Sequence, residues 1–205
     1  MYTLVLASSS KNRKELLSKI VSSFEVEIPV CNEGKIQDAS SLILTQKRAF
    51  AKMESVAQKY DDGKNIIIGA DTLIDVSGVI FGKPKTQEEA KIMISSYSNS
   101  SHLVISSIAL LNTETKKMEQ ASSISKVFFK KLEKWEIEEY LKTNDWKDVA
   151  GGYKIQGIAS LFIEKIEGSY SGVVGFPLYE FYSCLKSLCG NVFSLIFQPS
   201  SSVVT

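Results

Sequence analysis

Residues 66-IIIGADTLIDV-76 form a long apolar run broken once by a glycine and a turn-like polar pair, and the reading of this stretch decides the fold. Its β-branched density and length predict a buried strand from Ile66 to Val76, and 77-SG-78 turns it into a short partner strand ending at Phe81. Upstream, residues 39 to 58 carry a helical period: Leu42, Ala49, Met53 and Val56 share a stripe that Ile43, Phe50 and Ala57 broaden. The polar 61-DDGKN-65 segment closes that helix as a turn. At the start of the chain, residues 2 to 7 read as a strand and 11 to 20 as a helix with Leu16, Leu17 and Ile20 on one side, capped by Ser10.

Downstream, Lys85 to Tyr97 has a helical period with Ala90, Met93, Ile94 and Tyr97 available for packing. Segments 103–112 and 120–130 read as consecutive strands, followed by a helix carrying Trp135, Tyr140 and Leu141. After the loop 144-NDWKDVAGGYKIQG-157, a strand is expected at 158–166 and a helix at 179–189. Several adjacent strands lack a crossover helix, so the expectation is an α/β fold with a mixed twisted sheet flanked by helices rather than a purely parallel sheet. Residues 1–197 are assigned to one domain and 198-QPSSSVVT-205 to a loose tail.

With 205 residues and 44% hydrophobic composition the chain can bury a substantial core. Lys and Arg total 24 against 23 Asp and Glu, so a formal charge of +1 gives no global reason to bind polymeric nucleic acid or an acidic membrane. Any anion site must be local. Cys31, Cys184 and Cys189 are odd in number and lack a CxxC pattern, which fits a reduced, cytoplasmic setting. One histidine, His102, cannot build a His-based zinc site and is read as a turn or surface residue. The run 188-LCGNVFSLIF-197 is too short for a membrane span.

Asp71 ends an apolar stretch after a glycine, a position from which a strand presents an acid to a polyphosphate-bound metal. Glu33 in 29-PVCNEGK-35 is a second carboxylate for the same ion, although turns between elements commonly carry acids. In 8-SSS-10, hydroxyls and backbone amides at a helix start suit phosphate oxygens, with Ser8 leading and Arg13 adding a bidentate guanidinium. Lys83, in 81-FGKPK-85, supplies a second charge, and Lys52 reaches a phosphate if its helix turns that face inward. A serine run can equally cap a helix, and a lysine can equally be solvated. Gln156 and Thr72 carry groups suited to a base edge, or to supporting the loops they lie in. Trp135, Tyr140, Phe181, Phe128 and Phe129 read as core rather than base-stacking residues, while Tyr153 and Tyr170 adjoin glycine-rich loops and are not placed.

Five segments in order, 6-LASSSKNRKELL-17, 69-GADT-72, 82-GKP-84, 150-AGGYKIQG-157 and 168-GSYSGVVGFPLYE-180, give the chain a resemblance to the Maf family of nucleoside triphosphate pyrophosphatases. The resemblance implies a fold similar to the inosine-triphosphate pyrophosphatases, with two lobes around a central cleft. It also implies hydrolysis of a nucleoside triphosphate to the monophosphate and pyrophosphate with a divalent cation, Mg²⁺ or Mn²⁺. Asp71 then stands at the family's catalytic proton acceptor. Ser8, Arg13, Glu33, Lys52 and Lys83 stand at its phosphate and metal positions, and Asn12, Thr72 and Gln156 at positions that select the base.

The family's serine-proline-arginine-arginine run is 10-SKNR-13 here, so Asn12 replaces an arginine tied to dTTP and UTP selection, whereas Gln156 keeps that branch's amide. On the strength of Gln156 the expected substrate is a pyrimidine triphosphate, dTTP or UTP or a modified pyrimidine nucleotide, with Asn12 weighing against it. A homodimer is a further implication of the resemblance. The alternative is a nucleotide-binding regulator of cell division or septum formation with little turnover.

Overall fold

The computed structural model describes residues 2–38, 40–60, 63–192 and 196. Seven strands form one mixed sheet: β1 (Thr3–Ala7), β2 (Glu25–Glu27), β3 (Asn65–Val76), β4 (Val79–Phe81), β5 (Ser101–Asn112), β6 (Met118–Phe129) and β7 (Ile163–Glu167). Their order is β2-β1-β3-β5-β6-β7, with β4 also pairing with β3. Around them lie α1 (Lys11–Ser18), α2 (Ser41–Ala57), α3 (Gln87–Tyr97), α4 (Lys134–Lys142), α5 (Tyr170–Val174) and α6 (Leu178–Cys189). The expected mixed α/β sheet flanked by helices is the observed one. β1 runs parallel to β2 and β3, whereas β3, β5, β6 and β7 are joined antiparallel.

One edge of β3 positions the site. β1 pairs with β3 through Ala7 and Gly69 and then stops; β4 pairs with the same strand only from Ile74 onward. β5 covers the opposite edge from Ile66 to Asp75. Ala70, Asp71, Thr72 and Leu73 therefore face a gap in the sheet between the end of β1 and the end of β4, roughly 13 Å long at ~3.3 Å per residue. The backbone here is unpaired on one edge of the strand.

Strand alternation gives the two faces different partners. Ile66, Ile68 and Ala70 pack with Leu4, Leu6, Leu17 and Phe181 in one apolar cluster, and Ile74 packs with Ile94, Tyr97, Val104 and Phe129 in another. Thr72 falls between them. On the opposite face Ile67 packs with Val5, Ala49, Met53 and Val56 beneath α2. A side chain on Gly69 would have no room there, because a Cβ would meet the Ala49 carbonyl oxygen at 2.2 Å and the Met53 nitrogen at 2.6 Å. That glycine lets α2 rest directly on β3.

Several expectations are corrected. Residues 158–166 are not one strand: Ile158–Phe162 form a 3-10 turn, and only Ile163 onward pairs with β6. An apolar run of this length has no periodicity of its own to fix the boundary. Trp135 is not core but 64% exposed, since the packed side of α4 is Ile137, Tyr140 and Leu141. His102 is neither a turn nor a surface residue: it is 2% exposed within β5, surrounded by Tyr97, Phe129 and Tyr153. The stripe on α2 is shifted as well, with Leu44, Thr45 and Lys52 buried and Ile43 39% exposed. The short β2 and α5 were not foreseen, being of three and five residues. The start of the 61–65 turn and the 198–205 tail lie outside the described residues.

Candidate active site

A cleft of about 690 Å³ opens at the gap in the sheet. Ser8 lines it from the β1–α1 connection, Asn12 and Arg13 from the first turn of α1, Glu33 and Lys52 from beneath, Asp71 and Thr72 from β3, and Lys83 and Gln156 from the far side. All the side chains singled out in the sequence thus meet at one place. The topology explains this: Ser8 follows the last residue of β1, and Lys83 follows β4 by two residues, so the two phosphate-suited loops bracket the β3 segment that carries Asp71.

On the α2 face, Lys52 Nζ lies 2.7 Å from Asp71 Oδ1 and 3.1 Å from Glu33 Oε1. Lys52 and Asp71 are only 6% and 4% exposed, so their pairing is screened little by solvent. Asp71 Oδ2 is buried and has no hydrogen-bond partner. A buried carboxylate oxygen without a donor is costly, and it marks a position suited to a cation or a water hydrogen. The nearby Cys31 thiol is pushed up by partial burial and then by Glu33, with Asp71 adding to this and Lys52 opposing it, so it stays a thiol at neutral pH.

On the other face, Arg13 is held by neutral acceptors. Its Nε donates to the Gly175 carbonyl at 2.9 Å, Nη2 to Thr72 Oγ1 at 3.2 Å and Nη1 to Ser8 Oγ at 3.4 Å. Two of its five N–H donors remain for a ligand. Burial pushes its pKa down from the ordinary value, while Asp71 and Glu33 hold it up. Ser106 gives its proton to the Gly172 carbonyl at 2.6 Å, so at the 2.8 Å contact between them Thr72 donates and Ser106 accepts. Thr72 thereby accepts from Arg13 and donates to Ser106, which fixes the guanidinium. Ser8 Oγ accepts from Ser10 N at 3.2 Å as well as from Arg13, leaving the Ser8 proton to point at a ligand.

Lys83 and Gln156 are exposed on the cleft wall, and Asn12 is half-buried. Three further lining residues were not assigned to the site from the sequence, Tyr153 having been left unplaced and Lys154 and Arg48 unremarked. Tyr153 donates to or accepts from His102 Nε2 at 2.8 Å and walls the cleft near Gln156. Lys154 and Arg48 also line it. For Arg48 the available signal was its spacing, four residues before Lys52 on one helix face.

An α/β sheet with a strand-edge cleft, a carboxylate held by an ammonium and a fixed guanidinium opposite defines a protein suited to polyphosphate ligands. The sequence matches the Maf-like protein family over residues 3–188, and the chain belongs to that family. It is 44% identical over 196 residues to the dTTP/UTP pyrophosphatase of Treponema denticola, covering 91% of this chain and 97% of that one. The dTTP/UTP pyrophosphatase of Clostridium tetani is 38% identical over 191 residues, covering 92% and 98%. A HAM1 protein from Coxiella burnetii aligns in structure with a TM-score of 0.37 and 14% identity over 63% of this chain and 73% of that one. That likeness is too low to carry the fold, which rests on the sheet and its helices.

Proposed function

We propose that this chain hydrolyses a nucleoside triphosphate to the monophosphate and pyrophosphate, favouring dTTP and UTP. The observation that carries the reading is Asp71, a residue lining the cleft whose Oδ1 is held by Lys52 while its shielded Oδ2 has no hydrogen-bond partner. The full-length likeness to relatives named dTTP/UTP pyrophosphatases supplies the substrate class.

In this reading Oδ2 takes a proton from the attacking water, whose oxygen bonds to phosphorus as the α–β bridging P–O bond breaks and pyrophosphate leaves with the bonding pair. Arg13, Lys52 and Lys83 oppose the charge that develops on the phosphate oxygens, and the Ser8 hydroxyl donates to one of them. Because Arg13 is fixed before substrate arrives, little reorganisation accompanies its contribution.

Mg²⁺ or Mn²⁺ fits the donor set. Asp71 Oδ2 is unpartnered and Glu33 reaches the same lysine, and Mg²⁺ is commonly held by one or two carboxylates with substrate phosphates completing its shell. Among the described residues no group of three or more His, Cys, Asp or Glu side chains is placed to hold a metal alone. Substrate oxygens would supply the remaining ligands. When bound, the ion would offset phosphate charge and acidify water.

The decisive experiment is product analysis with dTTP and UTP, with and without Mg²⁺. Monophosphate and pyrophosphate are expected. Orthophosphate and nucleoside diphosphate would defeat the reaction, and tight nucleotide binding with no turnover would favour the regulatory alternative. The described chain has no helix long and apolar enough to cross a membrane.

A further inference from the structure

Arg48 lines the same cleft as Asp71 and Lys83, yet no hydrogen bond or ion pair engages its guanidinium among the described residues. Its Nε is shielded from solvent and has no acceptor. A guanidinium loses strong hydration when shielded, and that loss is ordinarily offset by a carboxylate or carbonyl. The two acids on the cleft floor, Asp71 and Glu33, pair with Lys52, and neither forms an ion pair with Arg48. A half-buried guanidinium that lines a ligand cleft and has no internal acceptor is suited to an anionic oxygen of the ligand.

The register of α2 on β3 says which part of the ligand. Lys52 contacts Asp71, and Ser41 Oγ donates to Asp75 Oδ2 at 2.7 Å, so the helix runs antiparallel to the strand. Arg48 lies one helical turn, about 6 Å, from Lys52 on the side toward Ser41. That places it level with the β3 segment between Thr72 and Ile74. Ile74 pairs with Phe81, two residues before Lys83. Arg48 and Lys83 therefore belong to the same end of the cleft, beyond Asp71 and away from the Ser8 loop at the end of β1.

We propose that Arg48 is a phosphate-binding residue that, with Lys83, holds the pyrophosphate end of the triphosphate. Its planar fork can take two oxygens, which a lysine at the same place cannot do. This rests on the triphosphate reading, but inorganic pyrophosphate probes it without requiring turnover.

Inorganic pyrophosphate and thymidine monophosphate are titrated calorimetrically, with Mg²⁺ present, into the wild-type chain and into Arg48→Gln and Arg48→Lys, with thermal denaturation of each. Arg48→Gln is expected to weaken pyrophosphate binding by about tenfold or more while leaving monophosphate binding within about twofold, and Arg48→Lys to fall between. If Arg48→Gln unfolds, the Arg48→Lys comparison carries the test. Unchanged pyrophosphate affinity, or an equal loss for the monophosphate, overturns the assignment. Should the wild type release orthophosphate from dTTP, the reaction reading fails on its own, and the pyrophosphate titration still decides Arg48.

Discussion

Lys52 Nζ stands 2.7 Å from Asp71 Oδ1 in the floor of the cleft, and the carboxylate's second oxygen has no partner. The pair fixes the orientation of Asp71 while leaving one oxygen for chemistry, so its two members differ in what their loss should do. Asp71→Asn keeps the side-chain volume, and Lys52 keeps Glu33 at 3.1 Å, so the fold should survive while turnover nearly vanishes. Lys52→Met strands a buried carboxylate and is expected to destabilise the fold by roughly 3–5 kcal/mol. Urea denaturation alongside product formation separates the two. An active, folded Asp71→Asn protein would remove Asp71 from the chemistry.

Gly69 sets the approach of α2, and with it the Lys52–Asp71 contact. A Cβ there would lie 2.2 Å from the backbone oxygen of Ala49, which cannot rotate away as a side chain can. Gly69→Ala should therefore push the helix outward, destabilise the fold by about 1–3 kcal/mol and lower kcat. Wild-type stability and kcat in that variant would show that the helix has slack the packing does not suggest.

The strands around this contact were legible because Ile66 to Val76 has the composition of a buried strand, and the serine-glycine pair after it could only turn. The candidate site was legible in part for a different reason: Ser8 and Lys83 sit just past the ends of β1 and β4, where polar groups have few structural duties, whereas Asp71 within β3 and Lys52 within α2 stood out as charges in apolar surroundings. Arg48 was not singled out because it lies inside a helix, where a solvated basic residue is the ordinary reading, and Tyr153 was left unplaced because it lies in a loop whose burial depends on tertiary contacts. His102 was misread because a lone histidine is ordinarily a surface residue, and nothing local reveals that Tyr153 returns from 51 residues away to meet it. Thr72 was expected to help select the base, but its hydrogen bonds to Arg13 and Ser106 could not be read from the sequence, since both reach it from distant segments.

That buried histidine makes a pH prediction. Burial lowers the His102 pKa from its ordinary 6.5 to about 4. Between those values the unfolded chain binds the proton and the folded chain does not, so stability falls as pH drops from about 6.5 and levels off below about 4. At 1.36 kcal/mol per unit the loss is about 3 kcal/mol in all. His102→Gln has no such titration. Thermal denaturation from pH 7 to pH 4 should show the wild type losing more stability than the variant, and parallel curves would mean that His102 is protonated in the fold.

The proposed base reader, Gln156, is exposed on the cleft wall with no side-chain hydrogen bond among the described residues. A thymine or uracil edge offers one N–H donor flanked by carbonyl acceptors, and a free amide can accept from the first and donate to the second. A carboxylate keeps the acceptance, loses the donation and sets its charge against a carbonyl oxygen. Cytosine instead presents an amino donor at that edge, which a carboxylate can accept. Gln156→Glu should therefore lower kcat/KM for dTTP and UTP by about 10–100-fold while lowering it less for CTP. Asn12 cannot supply the charged fork of an arginine, so on this proposal the amide should carry more of the discrimination. The measurement is a kcat/KM panel over dTTP, UTP, CTP, the purine triphosphates and 7-methyl-GTP for both proteins. A wild-type preference for 7-methyl-GTP would overturn the pyrimidine assignment, and an equal loss on all bases in Gln156→Glu would mean that Gln156 does not read the base.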